Sequence, residues 1–179
     1  MVTRTRAGSD DRKRLDALHK KLQRAKTEED VKGAWTKCLD LDYDTADDID
    51  LYTPQVIFEF KYSADLLNVQ HAAPVIAQTL YYLRRLKRGL GRKAIPGAFA
   101  LIDRTSVVIG QVGDWRDIFT DAEERFDWDL RPSSPDPRLV ATVLGHPAIR
   151  AVRAFSMEST EQSAAALRAL DQYLSLIHI

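Results

Sequence analysis

The sequence predicts an α/β domain in which helices flank a central mixed β-sheet. Three observations carry that expectation. Apolar residues recur at threes and fours in some segments and alternate or run together in shorter ones. Along the chain these segments come in the order helix, strands, helix, strands, helix. The 179 residues, 45% of them hydrophobic, are enough to bury one core.

Residues 1–10 are polar and without periodicity, and are expected to be a disordered start. Over 11–25, Leu15, Leu18 and Leu22 recur at helical spacing among basic residues. Thr27 with Asp30 three positions on marks the N-terminus of a second helix, whose apolar stripe is Val31, Ala34, Trp35, Cys38 and Leu39. An acidic loop over 41–48 leads into two short strands, 49–52 and 56–62, that turn at Thr53-Pro54-Gln55. A long helix over 66–88 follows from Val69, Ala72, Ala73, Ile76, Leu80 and Leu83, ending in RRLKRGLGRK with cations and then glycine. Residues 98–103 and 106–112 read as a second hairpin around Arg104-Thr105. Residues 114–137 are aromatic, polar and rich in proline, hence mostly irregular. A short helix at 137–144, a strand within 148–157 and a helix over 161–173 complete the domain, its core spanning about 27–157.

Composition narrows the chemistry. The 26 basic and 26 acidic residues cancel, which argues against a non-specific nucleic-acid coat while leaving room for a local basic patch. No run has the length of a transmembrane helix and no apolar leader opens the chain, so a cytoplasmic protein with no membrane partner is expected. The single cysteine, Cys38, excludes an internal disulfide and a cysteine zinc cluster, and is read as core. His19, His71, His146 and His178 show no HExxH spacing, and P-loop, GxSxG and GxGxxG sequences are absent.

The stretch DDIDLYTPQVIFEFKYS (residues 47–63) stands out, because Glu59 and Lys61 sit two apart in an otherwise apolar strand. Alternation puts Val56, Phe58, Phe60 and Tyr62 on one face and Ile57, Glu59 and Lys61 on the other. A turn at Pro54-Gln55 pairs Tyr52 with Ile57, Asp50 with Glu59 and Asp48 with Lys61. Opposed Cβ atoms are about 5 Å apart, close enough for two carboxylates to share an ion. Without a cation that pair repels; Mg²⁺ (or Mn²⁺) relieves it, and Lys61 beside it can orient the attacking water. The competing reading is an edge hairpin with a solvated charged face and a Lys–Glu surface pair.

The pattern D…ExK across a hairpin, after a helix with acidic residues and before a long helix, resembles the PD-(D/E)xK nuclease superfamily. Asp50, Glu59 and Lys61 match its motif, with Ile49 where a proline often stands. Glu28 or Glu29 matches the acidic position of the first core helix, and Gln78 and Tyr82 in AQTLYYLRRL match the QxxxY element of the RecB-like branch. More widely, EDVKGAWTKCL, YTPQVIFEFKYS, VIAQTLYYLRRLKRG, IPGAFALIDRT and FDWDLRPSSPDPRLV are similar to the N-terminal nuclease-like region of large adenine-specific DNA methyltransferases of restriction–modification systems.

The resemblance implies a restriction-endonuclease-like fold and Mg²⁺-dependent DNA cleavage, or a catalytically silent DNA-binding or scaffold module of that fold. It implies metal held by Asp50, Glu59 and the Phe60 backbone carbonyl, with Glu28 or Glu29 in the outer shell; Asp48 remains an alternative to Asp50. Lys61 would position water, and Gln78 and Tyr82 would brace metal or substrate. It further implies methyltransferase and target-recognition regions continuous with this chain, where S-adenosylmethionine would bind, because no Asn-Pro-Pro-aromatic turn occurs here.

Other features are read more plainly. Arg84, Arg85, Lys87, Arg88, Arg92 and Lys93 could follow a DNA backbone or simply complement a helix end. The calcium-loop start at Asp40, Asp42 and Asp44 fails, with Thr45 at the glycine position and Leu51 at the glutamate position. Asp103, Trp115 and Trp128 are read as structural, and His71 as a polar helix position. The tail LSLIHI (174–179) is expected to break the last helix. It matches one reading frame of a transposase mosaic-end adapter, so the natural chain is expected to continue past Tyr173.

Overall fold

A computed structural model of the chain describes residues 8–41, 51–89 and 95–175. Among the described residues, five strands form one mixed sheet in sequence order: β1 (Leu51–Tyr52), β2 (Val56–Phe60), β3 (Ala98–Ile102), β4 (Ser106–Gln111) and β5 (Arg153–Ser156). β1–β2, β3–β4 and β4–β5 are antiparallel, and β2–β3 is parallel. The parallel pair needs a long crossover, which α3 (Val69–Arg88) supplies. The tight β1–β2 connection is closed by Thr53, whose hydroxyl accepts from Val56 N–H at 3.0 Å, with Tyr52 opposite Ile57 as expected.

Helices cover both faces, and each face has its own core. On one side α1 (Gly8–Arg24), α2 (Glu28–Leu39) and α6 (Thr160–Ser175) enclose Val56, Phe58 and Phe60 with alternate residues of the neighbouring strands. On the other, α3, α4 (Arg116–Thr120) and α5 (Pro137–Gly145) enclose Ile57, Phe99, Leu101 and Val108. Burial on both faces explains the near-continuous apolar strands AFALI and SVVIGQ. β3 and β4 also meet closely: Gly110 lies opposite Phe99, and a Cβ there would fall 2.2 Å from the ring.

The caps follow the sequence. Thr27 and Asp30 form a reciprocal capping box, the Asp30 N–H donating to the Thr27 hydroxyl at 3.1 Å. Asp136 caps α5, with Pro137 in its first turn.

Five expectations need correction. The first helix begins at Gly8, inside the stretch expected to be disordered, with Asp10 and Asp11 in its acidic first turn. α3 starts at Val69 rather than 66, because Asn68 caps it and Leu66 instead donates its N–H to the Ser106 hydroxyl. Residues 116–120, expected to be irregular, are helical because Ile118 and Phe119 are buried. The core is wider than 27–157, since Leu15, Leu18, Leu22, Leu167 and Leu170 belong to it. Finally, α6 does not break at Leu174: it runs to Ser175, as Leu174 packs on the core four residues after Leu170. Among the described residues no helix is long and apolar enough to cross a membrane.

Candidate active site

Helices cover both faces of the sheet at β2, so Glu59 has no open face to turn to. It shares its side of the sheet with Ile57 and points toward α3, where its side chain is 3% exposed. A carboxylate in such a place needs charge-assisted partners. Lys61 Nζ donates to Glu59 Oε1 at 2.8 Å, and Gln78 Nε2 donates to the same oxygen at 2.7 Å. Gln78 also reaches the Tyr82 hydroxyl at 3.3 Å. Gln78 and Tyr82 are one helical turn apart on α3, which is why the i, i+4 spacing can present both to the strand. Both are nearly buried, whereas the Lys61 side chain is 21% exposed and forms the outlet toward solvent.

Lys61 lies just past the end of β2. Its N–H donates to the Ile102 carbonyl at 2.8 Å, carrying the parallel pairing one residue beyond the strand. The turn that follows is held by Asp103, which is fully buried. One carboxylate oxygen accepts from Ala64 N–H (3.2 Å) and Asp65 N–H (2.8 Å), and the other from Thr105 N–H (2.8 Å) and Ser106 N–H (2.7 Å). The structural reading of Asp103 therefore stands, and the sequence reading missed that it anchors the segment leading away from Lys61.

Four residues named from the sequence thus meet: Glu59, Lys61, Gln78 and Tyr82. The exposed, solvated hairpin face is excluded for Glu59 by its burial against α3, although β1 does form the sheet edge among the described residues. Asp48 and Asp50 lie outside the described residues. The Phe60 carbonyl sits between Glu59 and Lys61 in the chain, while the Phe60 ring lies in the opposite core, stacked on Phe58 at 6.0 Å. Glu28 and Glu29 are not brought to this group. Both are exposed in the first turn of α2, whose buried face packs on the other side of the sheet, and Glu29 lies 3.9 Å from Lys32. His71 is half exposed and faces Asp65 at 3.8 Å. Among the described residues no group of three or more His, Cys, Asp or Glu side chains converges as a metal site.

The proposed DNA-backbone cluster divides. Arg85, Lys87 and Arg88 are exposed, but Arg84 is 4% exposed and is not a surface cation. Its guanidinium donates to the Phe119 carbonyl at 3.2 Å and the Thr120 carbonyl at 2.6 Å, and lies 4.7 Å above the Trp128 ring. It therefore ties α3 to the last turn of α4, and burial, followed by nearby Arg88, lowers its pKa. Arg92 and Lys93 lie outside the described residues. A run of arginines in sequence does not reveal which one turns inward; the signal would have been Trp128 as its stacking partner, 44 positions away. No family model, curated protein or solved structure matches the chain.

Proposed function

We propose that this chain is a Mg²⁺- or Mn²⁺-dependent DNA endonuclease domain of PD-(D/E)xK type, belonging to a restriction–modification protein. The observation that carries the reading is the buried Glu59 carboxylate bonded to both Lys61 and Gln78, with Tyr82 behind the amide. The hairpin β1–β2, the crossover α3 and the parallel strand β3 support a restriction-endonuclease-like fold around it.

The donor chemistry fits a hard divalent cation: the Glu59 carboxylate and the Phe60 carbonyl are oxygen ligands, and Asp50 immediately precedes β1 in sequence. A bound cation would polarise the scissile phosphate and acidify the attacking water. The chain's own residues do the positioning. Gln78 fixes the rotation of the Glu59 carboxylate, Tyr82 fixes Gln78, and Lys61 holds a cationic donor at the outlet where a water and a phosphate oxygen would meet.

The test is cleavage of plasmid DNA by the full chain with Mg²⁺ or Mn²⁺. Glu59→Gln and Lys61→Ala should each remove cleavage, by about a thousandfold or more for groups acting on the transition state, while circular dichroism stays unchanged. Cleavage persisting in both folded variants would overturn the reading.

One observation favours a catalytically silent DNA-binding module instead. Lys61 already neutralises Glu59 at 2.8 Å, so a cation has to compete with an ion pair. Thermal unfolding separates the two. A ligand that binds only the folded state raises the melting temperature with its concentration, so a Mg²⁺-dependent rise, lost in Glu59→Gln, supports the nuclease. No rise with either metal, together with salt-sensitive DNA binding, supports the module.

A further inference from the structure

A second site lies farther along α3. A cavity of about 430 Å³ opens beside its C-terminal turn, lined by Tyr81, Arg84, Arg85, Arg88, Trp128 and Asp129. Three guanidinium groups face one carboxylate there. Arg85 and Arg88 are exposed, and the only partner recorded for Arg88 among the described residues is the exposed Glu124 at 3.7 Å, a pair of small worth in water. Arg84 is held rigidly at the base by two carbonyls and the Trp128 ring. Its charge is buried near Arg88, and the carboxylates of Asp121 and Glu124 offset this only in part, so an anion entering the cavity would relieve what remains.

Tyr82 connects this cavity to the Glu59 group: its hydroxyl meets Gln78, and the Arg85 guanidinium lies 5.9 Å from its ring centre. From Gln78 to Arg85 is seven residues, or about 10 Å along the helix. The two groups are therefore close enough to be met by one nucleic-acid strand. A cavity of this size suits a phosphate with its sugar.

We propose that Arg85 and Arg88, on the floor made by Arg84 and Trp128, bind a backbone phosphate of the DNA strand whose scissile phosphate is presented to Glu59. The choice of DNA as ligand rests on the nuclease reading; the phosphate chemistry does not.

The experiment measures binding of the full chain to a fluorescein-labelled oligonucleotide by anisotropy, in EDTA and over a salt series, so that cleavage plays no part. Arg85→Ala/Arg88→Ala should weaken binding about tenfold or more and reduce the log–log salt slope by about two. Lys13→Ala/Lys20→Ala, which removes two exposed charges of α1 on the other side of the sheet, should change affinity less than about threefold, a small non-specific effect. Equal losses in the two double variants, or none in the arginine variant, would overturn the proposal. Competition separates the sources of phosphate. An oligonucleotide that competes far better than a deoxynucleoside 5′-monophosphate or inorganic phosphate supports a strand; equal competition by the monophosphate overturns the strand assignment. Loss of cleavage in Glu59→Gln, read separately with Mg²⁺, tests the nuclease reading. Arginine-dependent binding without Glu59-dependent cleavage would therefore remove the nuclease reading alone, and the reverse pattern would remove this proposal alone.

Discussion

Glu59 and Asp103 are both buried carboxylates near the C-terminal ends of the adjacent parallel strands β2 and β3, yet the fold holds them differently. Asp103 accepts from four backbone N–H groups and from the Ser106 hydroxyl at 2.8 Å, so its position is fixed by the chain itself. The contacts of Glu59 with Lys61 and Gln78 are made by side-chain tips, one of them an ammonium on a flexible stem. Main-chain donors cannot follow a changing ligand, whereas side-chain donors can. The difference marks Asp103 as architecture and Glu59 as the carboxylate able to exchange partners.

Removing Asp103 should produce the largest stability loss. Asp103→Ala takes the acceptor from four N–H groups and the Ser106 hydroxyl, the Ser106 groups buried and the others partly so, and at about 0.5–1.5 kcal/mol per lost bond should lower unfolding free energy by about 3 kcal/mol or more. Denaturant unfolding measures it. A loss below about 1 kcal/mol would undo the assignment of Asp103 as the anchor of the turn after Lys61. Gly110→Ala comes next and separates packing from polar anchoring in the same sheet. The new methyl would meet the Phe99 ring, an aromatic held beside Trp115, and overpacking of this kind costs about 2 kcal/mol. A neutral melt would mean that Phe99 can turn aside.

Glu59→Gln should cost less than either, about 1 kcal/mol or less, because the amide keeps shape and an acceptor for Gln78 while Lys61 swings out to water. Its stability should nevertheless lose any dependence on Mg²⁺. A loss as large as that of Asp103→Ala would place Glu59 in the same architectural class and dissolve the contrast.

Much of this contrast is legible in the sequence, for local reasons. Strand alternation alone put Glu59 and Lys61 on the side of Ile57, and Thr27-x-x-Asp30 wrote its capping box into four residues. Gln78 and Tyr82 came from a resemblance, since helical spacing does not say which polar residue on a mostly buried helix meets a buried acid. Asp103 was legible as structural but not as a hub, because its donors lie near 64–65 and 105–106 on separate turns. The five residues of α4 are too few to show a helical period, and their shape is imposed by burial of Ile118 and Phe119. Arg84 failed for a related reason: its carbonyl and aromatic partners belong to that unpredicted helix and the loop after it.

Asp121 and Asp136 offer the smallest and finest test, since they add a third way of keeping a buried acid. The Arg138 guanidinium, aided by the Asp127 N–H, holds the Asp136 carboxyl well below the usual carboxylate range. For Asp121, burial pushes the carboxyl up, but the Trp128 indole N–H and donors from Arg125 and Phe126 outweigh it and leave it lowered. With folded values below the unfolded value of about 3.9, each contributes stability that is complete above that pH. The contribution is lost as pH falls through the folded values, because unfolding then takes up protons. Urea unfolding at pH 5, 4 and 3 should therefore show stability falling on the acid side, with a shallower fall in Asp136→Asn. Identical slopes in wild type and variant would mean that Arg138, whose side chain is 68% exposed, does not hold Asp136 in solution. The loop carrying Trp128 would then rest on Asp121 and on Tyr81, whose hydroxyl donates to the Asp127 carbonyl, and the cavity floor would depend on α3 rather than on the α5 cap.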